Sequence, residues 1–197
     1  MEFVFVIKNQ LDHDICDKII EMFENDPRKH QGKTLSGVNT SIKDSIDLSI
    51  PAVIEDQQLD EEWVKIDRLL SKNLTQGILK YFQHLKRVTN GLYGLNWRGM
   101  VDKGYTVQRT SKGGHYVWHS DEGNKYDYRV YAFIWYLNTL KPEDGGCTEF
   151  ANGLRIYPEK GQLLLFPATW PYIHRGANVL TDTNKYIITG FTNYKDE

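Results

Sequence analysis

Cysteine is scarce in this sequence: Cys16 and Cys147 are the two in 197 residues, and neither belongs to a CxxC pair. That excludes a disulfide framework and a cysteine-based structural zinc site, and both thiols are expected to be free in a reducing compartment. Long apolar runs are absent too. None approaches the roughly 18 residues that a membrane-spanning helix needs, so no membrane partner is expected. Neither sign of charge dominates, with 24 basic against 26 acidic side chains, a net charge of -2 and a pI near 6.3. Without a basic field to hold a phosphate backbone, nucleic acid is not an expected partner. Met1 to Lys8 has no basic leader and too short an apolar stretch for a secretory signal, so it reads as a first β-strand and the expected location is cytoplasmic. No internal repeat, low-complexity tract or linker interrupts the chain, and one domain over 1–197 is expected.

Within that domain, residues 1–90 read as a strand with helical support and 91–197 as a β core. Ile15, Ile19, Ile20, Met22 and Phe23 recur at helical spacing behind an Asp, which predicts a first amphipathic helix. Residues 25–37 are polar, with Asp26-Pro27 and two glycines, and predict a loop; 41–50 alternate as a short strand. From about Asp60 to Lys86 apolar residues return every three or four positions, predicting a second helix with a break near Gly77. Beyond Gly91, short segments rich in Tyr, Thr, Val, Ile and Trp predict strands at 104–109, 115–119, 129–137, 147–150, 154–157, 161–166, 172–174 and 185–194. No helix-length crossover separates them. The pattern predicts an antiparallel jelly roll, α+β and mainly β, with the helices covering one face of the sandwich.

Chemistry concentrates in three places. His119-Ser120-Asp121 is a short motif that chance also produces, yet residues i and i+2 of an extended strand point to the same side, so both side chains can reach one point. A third ligand has to come from elsewhere, and His174, at the turn that follows a leucine-rich strand, has a suggestive setting. Two His and one carboxylate leaving half the coordination sphere open form the facial triad of non-haem Fe(II) oxygenases. Lys185 opens a run with strand propensity, where an ammonium pointing inward can pair with the distal carboxylate of a small diacid.

Residues 101–194 resemble the 2-oxoglutarate and Fe(II) dependent dioxygenases of the prolyl 4-hydroxylase type. The motifs match in order: Tyr116 three residues before His119-x-Asp121; Arg129 opening a strand that ends Tyr136-Leu137-Asn138; Gly145-Gly146-Cys147-Thr148-Glu149-Phe150; Pro158 and Gly161 before Leu163-Leu164-Leu165-Phe166-Pro167; then His174 and Lys185. Two departures stand out: Cys147 occupies a place where many members carry Glu, and the spacing from His174 to Lys185 is one residue longer than is common. The resemblance implies a double-stranded β-helix core. It implies that His119, Asp121 and His174 hold Fe(II), that Lys185 binds the C5 carboxylate of the cosubstrate 2-oxoglutarate, and that Tyr136 and Tyr116 line the cosubstrate site. It also implies that Arg129 and Phe191 face the substrate. Some members replace the carboxylate ligand with a small residue so that halide can bind iron; Asp121 argues for hydroxylation.

The expected activity is hydroxylation of proline in a peptide or protein, consuming O2 and 2-oxoglutarate and releasing succinate and CO2, with ascorbate as a supporting reductant. Within the enzyme class the alternative is another residue, a free amino acid or a small metabolite; across classes it is a non-catalytic jelly-roll binding module. Tyr126 and Tyr128 lie in the polar segment 122–128, which is long enough to be a mobile lid, and are expected substrate contacts. Nine aromatic residues fall between Tyr105 and Tyr136, and half or more of them are expected simply to fill the space between sheets. His13, His30, His84 and His115 are read as ordinary histidines, since most are not ligands. The basic cluster from Arg28 to Lys33 is read as a solvated loop, with a second lid over peptide as the sharper alternative.

Overall fold

The computed structural model describes residues 3–50, 60–91, 99–123 and 128–194. The N-terminal part carries β1 (Phe5–Ile7), α1 (His13–Asn25), β2 (His30–Gln31), β3 (Lys33–Thr34), β4 (Gly37–Val38), β5 (Ile46–Ile50) and α2 (Glu61–Val88). Then come β6 (Met100–Asp102), β7 (Tyr105–Thr110), β8 (Tyr116–His119), β9 (Arg129–Tyr136), β10 (Thr148–Phe150), β11 (Arg155–Ile156), β12 (Leu163–Pro167), β13 (His174–Gly176) and β14 (Lys185–Tyr194). Among the described residues, the major sheet runs β1-β12-β9-β14-β7-β5-β2 with β6 also on β14, and a minor sheet runs β11-β10-β13-β8. All these pairs are antiparallel, and the fold is a double-stranded β-helix with two helices against it.

Alternation along the strands separates two cores. On β9, Tyr131, Phe133 and Trp135 point toward the helices, while Ala132, Ile134 and Tyr136 point toward the minor sheet; β12 divides in the same way, with Leu163 and Leu165 against Leu164 and Phe166. α1 contributes Cys16, Ile19 and Phe23 to the first core, and α2 contributes Trp63, Ile66, Leu70, Leu74, Tyr81 and Leu85. Each of these large apolar side chains stabilises the fold by about 1.5–3 kcal/mol on burial.

α2 is a single helix, with no break at Gly77. A Cβ at that position would lie 2.5 Å from Leu163 Cδ2, so the glycine marks close packing of helix on sheet and not a helix end. Asp60 caps the helix by accepting hydrogen bonds from Glu62 N and Trp63 N, and acidic residues open it while Lys86 and Arg87 close it, as the helix dipole favours. The C-terminus closes with Asn90 at φ 53° and Gly91 N donating to the Lys86 carbonyl.

Three readings of the sequence need correction. The polar stretch 25–37 holds two two-residue strands, β2 and β3, and the first residue of β4. The basic cluster is not simply solvated: Arg28 forks onto Asp26, and Lys29 Nζ donates to the Phe23 carbonyl at 2.8 Å, closing the C-terminus of α1. The strand expected at 172–174 begins only at its last residue: Trp170–Tyr172 form a 3-10 turn with Pro171 in it, and β13 runs from His174 to Gly176. β6 was not anticipated.

Candidate active site

His119 ends β8 and His174 begins β13, and the register sets them directly opposite each other across the minor sheet. Their ring centroids are 4.3 Å apart. Asp121 follows just beyond β8 and reaches both: its Oδ1 is 3.5 Å from His119 Nε2 and its Oδ2 is 3.5 Å from His174 Nε2. The three donor atoms all lie within 4.8 Å of one another. Two donors about 2.1 Å from a common ion are about 3 Å apart at right angles, so these side chains would have to draw together slightly to hold one metal ion.

The histidines are prepared for that role by their other ring nitrogen. His119 Nδ1 faces the Val117 carbonyl at 2.8 Å and His174 Nδ1 faces the Tyr172 carbonyl at 3.0 Å. A carbonyl only accepts, so each Nδ1 carries a proton, and Nε2 is the atom that each ring turns toward the centre. Burial holds the His174 imidazolium down, outweighing the attraction of Asp121, so the neutral, ligating form is favoured. Burial works against the charge of Asp121 as well, but the His119 hydrogen bond and the nearby His174 and Arg129 hold its carboxyl below the usual range.

These groups open onto a cleft of about 700 Å³ between the two sheets. Lys185 lines it and is 5 % exposed; burial pulls its ammonium from 10.5 to about 8. Among the described residues no carboxylate pairs with it, its nearest ring being that of Tyr136 at 5.9 Å. A buried ammonium without a counter-anion, in the same cleft as a two-His, one-Asp cluster, fits the distal carboxylate of a keto diacid.

The remaining predicted residues divide. Tyr116 lines the cleft, and its ring stacks on His119 at 3.7 Å between centroids; burial pushes its hydroxyl up. Tyr136 is fully buried, with its hydroxyl 2.7 Å from Thr148 Oγ1, and it is Thr148 that faces the cleft. Arg129 and Phe191 pack together at the rim, the guanidinium carbon 3.8 Å above the ring, and Arg129 donates to the Asp121 carbonyl at 3.4 Å. Tyr128 is 72 % exposed and turned to solvent. Tyr126 and most of the expected lid lie outside the described residues. His115 has its ring nitrogens near the carbonyls of Gly113 and Ser41, away from the ligand cluster.

Sequence reasoning missed the wall built by β5 and β7. Asp47 and Ser49 on β5, and Thr106, Gln108 and Thr110 on β7, line the cleft, while their neighbours Leu48 and Val107 enter the helix-side core. Lys43, just before β5, joins them. The period-two signal was present in Tyr105-Thr106-Val107-Gln108-Arg109-Thr110, but a polar face toward a cleft is indistinguishable in sequence from a polar face toward solvent.

Residues 105–193 match the model of the 2OG-Fe(II) oxygenase superfamily. That match spans a little under half of the chain and is a likeness to the superfamily. The superfamily is one of Fe(II) and 2-oxoglutarate dependent oxygenases, and the cluster of His119, Asp121 and His174 could hold a metal ion. Curated proteins provide no match to the sequence. Among solved structures, similar folds include the viral collagen prolyl hydroxylase of Paramecium bursaria Chlorella virus-1 in complex with 2-oxoglutarate, at 16 % identity and TM-score 0.64, with 98 % of this chain and 97 % of that one covered. A Pseudomonas putida prolyl-4-hydroxylase aligns at 17 % identity and TM-score 0.65, covering 98 % and 93 %. A Trichoplax adhaerens prolyl hydroxylase, in complex with a hypoxia inducible factor oxygen degradation domain peptide, aligns at 18 % and 0.69, covering 98 % and 84 %. At these identities the likeness concerns the fold. Among the described residues, no helix is long and apolar enough to cross a membrane.

Proposed function

We propose that the oxygenase hydroxylates proline in a peptide or protein, with Fe(II) held by His119, Asp121 and His174 and the C5 carboxylate of 2-oxoglutarate held by Lys185. The observation that carries this reading is the convergence of three ligand atoms in the same cleft as a buried ammonium that lacks an anion. When bound, iron and 2-oxoglutarate supply oxidative decarboxylation and the reactive oxygen that hydroxylates a C–H bond. The chain's own groups set the conditions. The two Nδ1–H bonds aim both imidazoles, and Asp121 stays ionised at neutral pH to complete the charge of the site. Lys185 orients the diacid, with Tyr136 and Thr148 bonded to each other beside it. Arg129 and Phe191 form a flat, cationic rim against which a peptide can rest.

The proline assignment is supported by the prolyl hydroxylases among the similar folds, one of them bound to a peptide. We further propose that 1–197 acts as one dioxygenase domain, because α1, α2 and the β9 face share one core, and that it works in the cytoplasm, in keeping with its two buried free thiols. The test is direct. Purified protein with Fe(II), 2-oxoglutarate and ascorbate is offered an array of proline-containing peptides, and succinate release together with a one-oxygen mass gain on proline is expected. Turnover of free amino acids alone would replace the peptide reading, and succinate-free incubation with every substrate would remove it.

A further inference from the structure

The segment between β4 and β5 runs along the outer edge of β8. Asp44 N donates to the His115 carbonyl at 2.8 Å and Val117 N donates to the Ile42 carbonyl at 2.9 Å, so Lys43 sits across an antiparallel bridge from Tyr116. Its side chain turns inward. Lys43 Nζ meets Asp47 Oδ2 at 2.5 Å, the two side chains being 8 % and 4 % exposed, and Asp47 Oδ1 accepts from Ser45 Oγ at 2.8 Å. The ammonium also lies 5.7 Å from the centroid of the Tyr116 ring, which stacks on the His119 imidazole with 19° between planes. Asp47, Lys43, Tyr116 and His119 form an unbroken row that ends at an iron ligand of the proposed site.

A buried ion pair is a poor source of stability, because desolvating both charges offsets most of their attraction; what it does well is fix geometry. The two histidines differ in their need for that. His174 is 4 % exposed and wedged against Phe150 and Phe166, with ring centroids at 5.7 and 4.8 Å. His119 stands at a strand end at the wall of the cleft, and its Nδ1 bond to Val117 and the long 3.5 Å approach of Nε2 to Asp121 leave its ring more room to tilt than that of His174. The Tyr116 ring removes the tilt. Tyr116 in turn is half-buried, with the cleft on one side and the Lys43 ammonium on the other.

We infer that the Lys43–Asp47 pair is a positioning device for His119, acting through the Tyr116 ring; this rests on the reading of His119 as a metal ligand. Calorimetric titration of the iron-free protein with Co(II), a redox-stable probe, tests it without turnover. The wild type is expected to bind one Co(II) per chain. Lys43→Met/Asp47→Leu, which removes both charges together, is expected to weaken binding about ten-fold, as loss of a group that orients a metal ligand does, and Tyr116→Leu is expected to weaken it similarly. In the Tyr116→Leu background the pair replacement should add less than two-fold, since the connection is already cut. Wild-type affinity in a folded pair variant, or equal effects with and without the Tyr116 ring, overturns the inference. Should the pair variant not fold, wild-type affinity in Tyr116→Leu overturns it alone. A wild type that binds no Co(II) sinks the metal-ligand reading itself, so the two failures are distinct.

Discussion

Lys185 shows how one side chain can trade stability for binding. Its ammonium ordinarily titrates at 10.5 and burial brings it to about 8, so at neutral pH the folded protein keeps a charge in a place that disfavours it by something on the order of 3 kcal/mol. The sign follows from proton counting. Between about pH 8 and 10.5 the unfolded chain holds a proton that the native chain has released, so the ligand-free protein gains stability as pH rises through that window. Lys185→Met is expected to raise the ligand-free melting temperature by several degrees at pH 7 and to flatten this pH dependence, while abolishing the stabilisation that added 2-oxoglutarate gives the wild type. Thermal melts with and without 2-oxoglutarate, at pH 7 and pH 9.5, check both halves. His119→Ala and His174→Ala are expected to cut turnover by at least two orders of magnitude, because a facial triad lacks a spare ligand. Circular dichroism of the His119 variant should match the wild type, its ring standing at the cleft wall and not in the core.

At the scale of elements, Gly77 sets two effects of opposite sign against each other. A larger residue would favour the helix by up to about 1 kcal/mol, but its side chain would enter space held by fully buried Leu163. Packing wins. Gly77→Leu is expected to destabilise the protein by about 2 kcal/mol, read as a lower urea midpoint at unchanged slope. The same glycine shows why the sequence suggested an interrupted helix: propensity is local, whereas the reason for the residue lies on β12, far along the chain. Apart from β6 and β13, the C-terminal strands were legible to within a residue or two, because their chemistry demands particular side chains at particular spacings and Gly and Pro punctuate them. The pairing of β1 with β12, and the inward polar faces of β5 and β7, were not. A period of two says that a strand has two faces; it does not say what each one meets.

Across the whole molecule, the helical layer is tied together by one acidic side chain. Asp26 receives Arg28 at both carboxylate oxygens and the Trp63 indole at 2.9 Å, and Arg28 continues to Asp60 at the cap of α2. The Arg28 hydrogen bonds, chiefly, lower the Asp26 carboxyl from 3.8 to about 2 despite its burial. Stability from this group is fully present above about pH 4 and is lost as pH falls toward 2. Asp26→Asn is expected to cost about 2 kcal/mol near neutrality and to remove that part of the acid sensitivity, measurable by denaturant titrations between pH 6 and pH 2.

β14 works as a ruler for the whole machine. Its alternate residues Lys185, Ile187, Thr189 and Phe191 all line the cleft, so the distance from the proposed diacid anchor to the proposed peptide rim is six residues of extended chain, about 20 Å. The same strand bonds to β9, β7 and β6. A one-residue insertion after Lys185 would turn every later side chain over, sending Phe191 toward the helices and Ile188 into the cleft. The span between the two ends of this row can therefore lengthen only in steps of two residues.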